Sequence, residues 1–121
     1  ITALGANCVN MAIVLPFVSY GVFKLVSGKS KQGWRLSIAA FLSGYVGLVI
    51  TSISPAIQFG IQPLVAHAAD GQPLYAPYPL SIAIPAMAIE HMILFGLIEG
   101  LVTMLLFRWF FMHDREMIHV L

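Results

Sequence analysis

The stretch LGANCVNMAIVLPFVSYGVFKLV, residues 4–26, carries a single formally charged side chain, Lys24, close to its end. A helix needs about 20 apolar residues to cross the roughly 30 Å hydrocarbon core of a bilayer. Water is missing there, so a spanning segment must be a helix or part of a closed barrel. Barrel strands alternate apolar and polar residues, and this stretch does not. It therefore predicts a transmembrane helix.

Two further apolar stretches follow, at about residues 36–62 and 80–111. Over the 121 residues, hydrophobic side chains make up 60% and charged ones 9%, whereas an ordinary globular chain carries about 25% charged residues. So little charge could not cover a surface that faces water. We predict an all-α, polytopic transmembrane helix bundle with three spanning helices. Residues 1–121 would form one membrane domain, and because the first residue is Ile1 and not Met, we expect it to be the C-terminal part of a longer polypeptide.

Prolines set the expected helix ends. We predict that the second helix kinks at Pro55 and ends near Gln62, before Pro63, because proline lacks a backbone donor and clashes with the preceding turn. The third helix is predicted to begin near Ile84. Pro85 would then lie in its first turn, where a missing N–H is not needed.

The two linkers between the stretches differ in the sign of their charge. The first carries Lys29, Lys31 and Arg35 and no acid, whereas Asp70 is the only formal charge of the second. Lysine and arginine concentrate on the cytoplasmic side of membranes. We therefore predict a multi-pass protein of the cell membrane, with the basic linker and the C-terminus, which carries Arg115, in the cytoplasm. The net charge of +1 gives no reason to expect a nucleic-acid partner.

Four polar residues within the apolar stretches are candidates for a site: Asn7, Asn10, His91 and Glu99. An ionisable side chain at the bilayer centre costs about 2.5–3.5 kcal/mol and normally faces the bundle interior or a wet cavity. On an ideal helix His91 and Glu99 lie about 80° apart around the axis and about 12 Å apart along it, too far to hold one ion alone. The four residues would line an ion path or support its ligands. The alternative for asparagine and histidine is a hydrogen bond to another helix.

Small residues recur at a spacing of four in two of the stretches. Gly96 and Gly100 form one such pair, and Ser43 and Gly47 form another. This spacing is typical of helices that pack closely in membranes. We therefore expect these two segments to contact other helices at short range.

Two segments resemble, in the same order, parts of the CbiM/NikM family: ITALGANCVNMAIVLPFVSY and DGQPLYAPYPLSIAIPAMAIEHMILFGLIEGLVT. Members of that family are the cobalt- and nickel-specific substrate-capture components of energy-coupling factor transporters. The resemblance implies a bundle of six or seven helices, of which this chain holds the last three. It also implies uptake of Co²⁺ or Ni²⁺ rather than catalysis or a bound cofactor.

The resemblance further implies partners, namely a transmembrane coupling subunit, ATPase subunits and a small accessory membrane subunit. The family's metal ligands are an N-terminal Met-His start and a histidine in an early helix. Neither is in this sequence, so the ligands are expected upstream of Ile1. The residues alone leave other functions open. These are a proton-coupled carrier with His91 and Glu99 as relay groups, an intramembrane enzyme, and a purely structural membrane subunit.

Overall fold

The computed structural model describes residues 4–114, so Arg115 of the predicted cytoplasmic tail lies outside the described residues. Three long helices form the fold, and we call them the first helix (Leu4–Ser27), the second helix (Gly33–Val65) and the third helix (Leu80–His113). Each is long and apolar enough to cross a membrane by length and composition. The predicted all-α fold with three spans is therefore confirmed.

The second helix lies between the other two. In its most apolar segment 39% of residues are buried, against 11% in the first helix and 6% in the third. Within residues 4–114, the backbones of the first and third helices do not approach each other. Their side chains meet at one end, where the rings of Phe23 and Phe107 lie 5.4 Å apart between centroids. Most of the apolar surface of the two outer helices therefore faces away from this bundle.

Glycines of the second and third helices allow the close packing. A Cβ added at Gly47 would meet the Ser19 side chain of the first helix at an impossibly short distance. A Cβ at Gly44 would lie 2.6 Å from the Thr103 hydroxyl of the third helix. On the third helix, a Cβ at Gly100 would lie 2.8 Å from a backbone oxygen of the second. The short-range contacts predicted from the small-residue spacing are confirmed.

The second helix runs further than predicted. It is α-helical over Gly33–Gly60 with Pro55 inside. After a break at Ile61, one more turn, Gln62–Val65, follows. Pro63 is the second residue of this turn, where a backbone N–H would have no partner within the helix. The predicted end before Pro63 is therefore one turn too early.

The predicted start of the third helix at Ile84 is wrong. The helix begins at Leu80, and Pro85 lies inside it. The Pro79 carbonyl accepts from the N–H of Ile82 at 2.9 Å, which closes the first turn. Pro85 then removes only one backbone donor, and the helix continues through it.

Two π-helical turns interrupt the outer helices. One is Asn10–Val14 in the first helix and the other is His91–Phe95 in the third. The Tyr45 hydroxyl of the second helix donates to the Met92 carbonyl of the second π-turn at 3.2 Å. Such turns are rare and concentrate at functional sites. They also add a residue to a turn, so the ideal-helix angle between His91 and Glu99 does not apply.

Because consecutive helices run in opposite directions, the two linkers lie at opposite ends of the bundle. The basic linker turns at Gly28, which has a φ of 55°. The other linker folds back on itself: the N–H of Leu74 donates to the Ala66 carbonyl at 3.0 Å, and the N–H of Gln72 donates to the Asp70 carboxylate at 3.1 Å. We call the end with Asp70 the Asp70 end.

Candidate functional site

Asn10 is a buried polar side chain, 1% exposed, at the start of the first π-turn. Its Nδ2 donates to Oε1 of Gln58 in the second helix at 3.4 Å. Its Oδ1 has no hydrogen-bond partner among the described residues. A buried acceptor left without a donor costs about 1–3 kcal/mol, so this oxygen is a costly feature for a purely structural contact.

Gln58 belongs to a line of polar side chains along the second helix. Its Nε2 donates to the Ser54 hydroxyl at 3.3 Å, and Nε2 of Gln62 donates to the Gln58 backbone carbonyl at 3.1 Å. Positions three and four apart share a helix face, which adds Thr51. Thr51 is 3% exposed, and its Oγ1 has no partner in the described part of the chain. We call Asn10, Thr51, Ser54, Gln58 and Gln62 the polar track.

A cavity of about 950 Å³ opens at the Asp70 end, between the start of the first helix, the end of the second and the linker. Two members of the polar track, Gln58 and Gln62, line it. The remaining lining residues are Gly5, Ala6, Val9, Phe59, Ile61, Tyr75 and Ala76. The track thus runs from a surface cavity toward the buried Asn10 and Thr51.

His91 is half-buried and opens the π-turn of the third helix. Its Nδ1 lies 2.8 Å from the Met87 carbonyl. A carbonyl only accepts, so Nδ1 carries the proton and, in the neutral ring, Nε2 is left as an acceptor. The ring packs against Phe95, with 5.5 Å between centroids. His91 therefore offers one nitrogen, on a ring whose orientation is fixed by the helix.

Glu99 lies near the middle of the third helix, about 28 Å from Leu80 and about 21 Å from His113 at the rise of an α-helix. It is partly exposed. Its side chain forms no hydrogen bond or ion pair with any residue between 4 and 114. A carboxylate at that depth is expensive unless a neighbour or water shelters it, so Glu99 joins the Asn10 and Thr51 oxygens as a polar group without a partner in residues 4–114.

The predicted candidates are not brought together. Asn7 is exposed, and so is Met11 at 52%, whereas Asn10 between them is buried. None of the four candidates is hydrogen-bonded to another among the described residues. In the same part of the chain, no group of three or more His, Cys, Asp or Glu residues could hold a metal ion.

The four polar-track residues of the second helix were not among the predicted candidates. Thr51, Ser54, Gln58 and Gln62 have the three- and four-residue spacing of one helix face, and that spacing in an apolar span was the available signal. Tyr45 gave no such signal, because its hydroxyl donates to the backbone carbonyl of Met92, 47 residues away in the chain.

The chain matches a family model described as CbiM, cobalt uptake substrate-specific transmembrane region, over residues 1–117. It is 45% identical to the fused nickel transport protein NikMN of Rhodobacter capsulatus over 119 residues, which are 98% of this chain and 34% of that protein. It is 30% identical to the putative cobalt transport protein CbiM of Methanococcus voltae, over 90% of this chain and 43% of that protein.

A solved structure has the same fold. The crystal structure of a transition metal transporter superposes with a TM-score of 0.83 at 41% identity, and the match covers 96% of this chain and 50% of that chain. The chain therefore spans between about a third and a half of the length of these relatives.

Proposed function

Because the chain belongs to the CbiM family, we propose that it is part of a membrane subunit that takes up cobalt or nickel ions. The observation that carries this proposal is the match over residues 1–117 to a family described by cobalt uptake. Three apolar helices of spanning length and relatives named for nickel and cobalt transport support it.

In this proposal the described helices provide a wall of the ion path and not its ligands. Nitrogen ligands suit Ni²⁺ and Co²⁺, and His91 offers a single free nitrogen. The ligands would come from residues upstream of Ile1, in the half of the bundle that precedes this chain. Asn7, Asn10, His91 and Glu99 would support those ligands or line the path, and Glu99 would find its partner there.

We further propose that transport is driven by ATP in partner subunits, as in energy-coupling factor transporters. A transmembrane coupling subunit, ATPase subunits and a small accessory membrane subunit would complete the machine. The Asp70 end would face outward and receive the ion. The basic linker and the C-terminus would face the cytoplasm, where the ATPases act.

The test is uptake of radioactive ⁶³Ni²⁺ or ⁵⁷Co²⁺ by cells that express the full-length protein with its partner subunits. We expect uptake that requires intact ATPase subunits and persists when a protonophore collapses the proton gradient while ATP is maintained. Uptake that stops with the gradient, and continues without the ATPases, would identify a proton-coupled carrier instead.

A binding measurement separates a structural subunit from a transporter. A ligand that binds only the native state raises the apparent stability by mass action. We expect Ni²⁺ or Co²⁺ to raise the Tm of the purified full-length protein, and Mg²⁺ at the same concentration to leave it unchanged. If no transition metal changes the Tm and no uptake occurs, the protein is a structural subunit.

A further inference from the structure

We propose that the polar track is an entry site for a hydrated divalent cation, in which amide and hydroxyl oxygens replace part of the ion's water shell on its way from the cavity into the membrane. This inference rests on the proposed uptake of cobalt or nickel. It specifies the path that the ion follows before nitrogen ligands bind it.

The first support is a pair of buried oxygens that nothing in the described chain satisfies. Oδ1 of Asn10 and Oγ1 of Thr51 both lack a partner, at 1% and 3% exposure. Hydrocarbon supplies no donors in a membrane span. Both oxygens therefore keep free lone pairs, which can coordinate a cation or accept a hydrogen bond from a water molecule bound to it.

The second support is continuity with the cavity. Gln58 lines the cavity wall and its Oε1 holds the Asn10 amide at 3.4 Å. Val9, the neighbour of Asn10, lines the same cavity. An ion that enters at the Asp70 end therefore meets Gln62 and Gln58 first, and Asn10 directly behind them.

The third support is the chemistry of the donors. All five members of the polar track are neutral and offer oxygen. Cobalt and nickel bind oxygen less strongly than imidazole or amine nitrogen, while carbonyl and carboxylate oxygens suit hard ions. A neutral oxygen site therefore lowers the cost of shedding water without trapping the ion, which is the property of a passage and not of a storage site.

The test measures rates and affinity separately in the full-length protein. A passage residue changes the rates of binding and release by the same factor and leaves the Kd unchanged, whereas a ligand changes the Kd. We expect Asn10→Leu to slow both the association and the dissociation of Ni²⁺ by about tenfold, the size expected for one lost interaction with a buried polar group. Stopped-flow mixing and ⁶³Ni²⁺ equilibrium dialysis give the three numbers.

Thr51→Val is the second variant, since it keeps the shape of the side chain. Its hydroxyl has no partner, so we expect an unchanged or higher Tm together with slower association. Ser52→Ala is the matched control. Ser52 is also buried, at 4%, but its hydroxyl donates to the Val49 carbonyl at 2.7 Å. Ser52→Ala should leave both rates unchanged.

Two results would overturn the entry site. One is wild-type rates in both Asn10→Leu and Thr51→Val. The other is a weaker Kd with unchanged association, which would make Asn10 a ligand. If the wild-type protein binds neither Ni²⁺ nor Co²⁺, the proposed function fails and the entry site with it. If the wild type binds normally and the variants do too, only the entry site fails.

Discussion

Replacing Gly100 by alanine tests whether the bare glycine backbone sets the distance between the second and third helices. The new Cβ would lie 2.8 Å from the Phe41 backbone oxygen and 3.1 Å from two Phe41 ring carbons. Ordinary contact begins at 3.4 Å, so the helices must separate locally by about 0.6 Å. A gap of this size already loses part of the dispersion attraction between the atoms on its two sides. The ring can rotate away, but the backbone oxygen cannot.

The size of the effect follows from two opposing contributions. Overpacking of this kind costs about 1–3 kcal/mol. Alanine in place of glycine stabilises a helix by about 0.5–1 kcal/mol. The expected net loss in the free energy of unfolding is therefore about 1 kcal/mol, a change of about fivefold in the folding equilibrium.

Gly21→Ala is the matched control, because a Cβ at Gly21 meets nothing within 4 Å. It carries the helix-propensity gain without the clash. The assay is unfolding of the full-length protein by SDS in mixed micelles, followed by circular dichroism. We expect the midpoint to fall for Gly100→Ala and to rise slightly for Gly21→Ala. Equal midpoints for the two variants would refute the close-packing argument.

Two other predictions concern the second π-turn and the orientation. Tyr45→Phe removes the hydroxyl that donates to the Met92 carbonyl and should lower the free energy of unfolding by about 1 kcal/mol in the same SDS assay; an unchanged midpoint would mean that another group satisfies this carbonyl. In a Cys8→Ser background, which has no other cysteine in this chain, a membrane-impermeant maleimide should label Asp70→Cys but not Lys29→Cys in intact cells. Labelling of both from outside would contradict the three-span topology, and labelling of Lys29→Cys alone would reverse the proposed orientation.

Hydropathy and length were enough to predict the three helices, because an uninterrupted apolar run has few alternatives in a membrane. They located the helix ends to within a few residues. They failed at Pro85, where a local rule placed the helix start four residues too late. The outcome depended on Pro79, whose carbonyl closes the first turn.

The arrangement of the site could not be predicted in the same way. The partner of Asn10 is 48 residues away in the chain, and no local pattern states which helix an amide will meet. Asn7 is exposed and Asn10 is buried, although residues three apart lie on the same side of an ideal helix. Asn10 could be singled out from the sequence because a polar side chain is costly in an apolar span. Its contact with Gln58 can be seen only in the fold.

The central position of the second helix has a consequence for how the sequence can change. Gly44 and Gly47 face different neighbours, Thr103 on one side and Ser19 on the other, while within residues 4–114 the backbones of the outer helices stay apart and the rings of Phe23 and Phe107 meet at one end. Away from that end, a substitution on one outer helix therefore meets no backbone of the other in the described part of the chain. A larger residue at Gly44 would require compensation on the third helix, and one at Gly47 would require it on the first, so the second helix is constrained from both sides and is the least free of the three to vary.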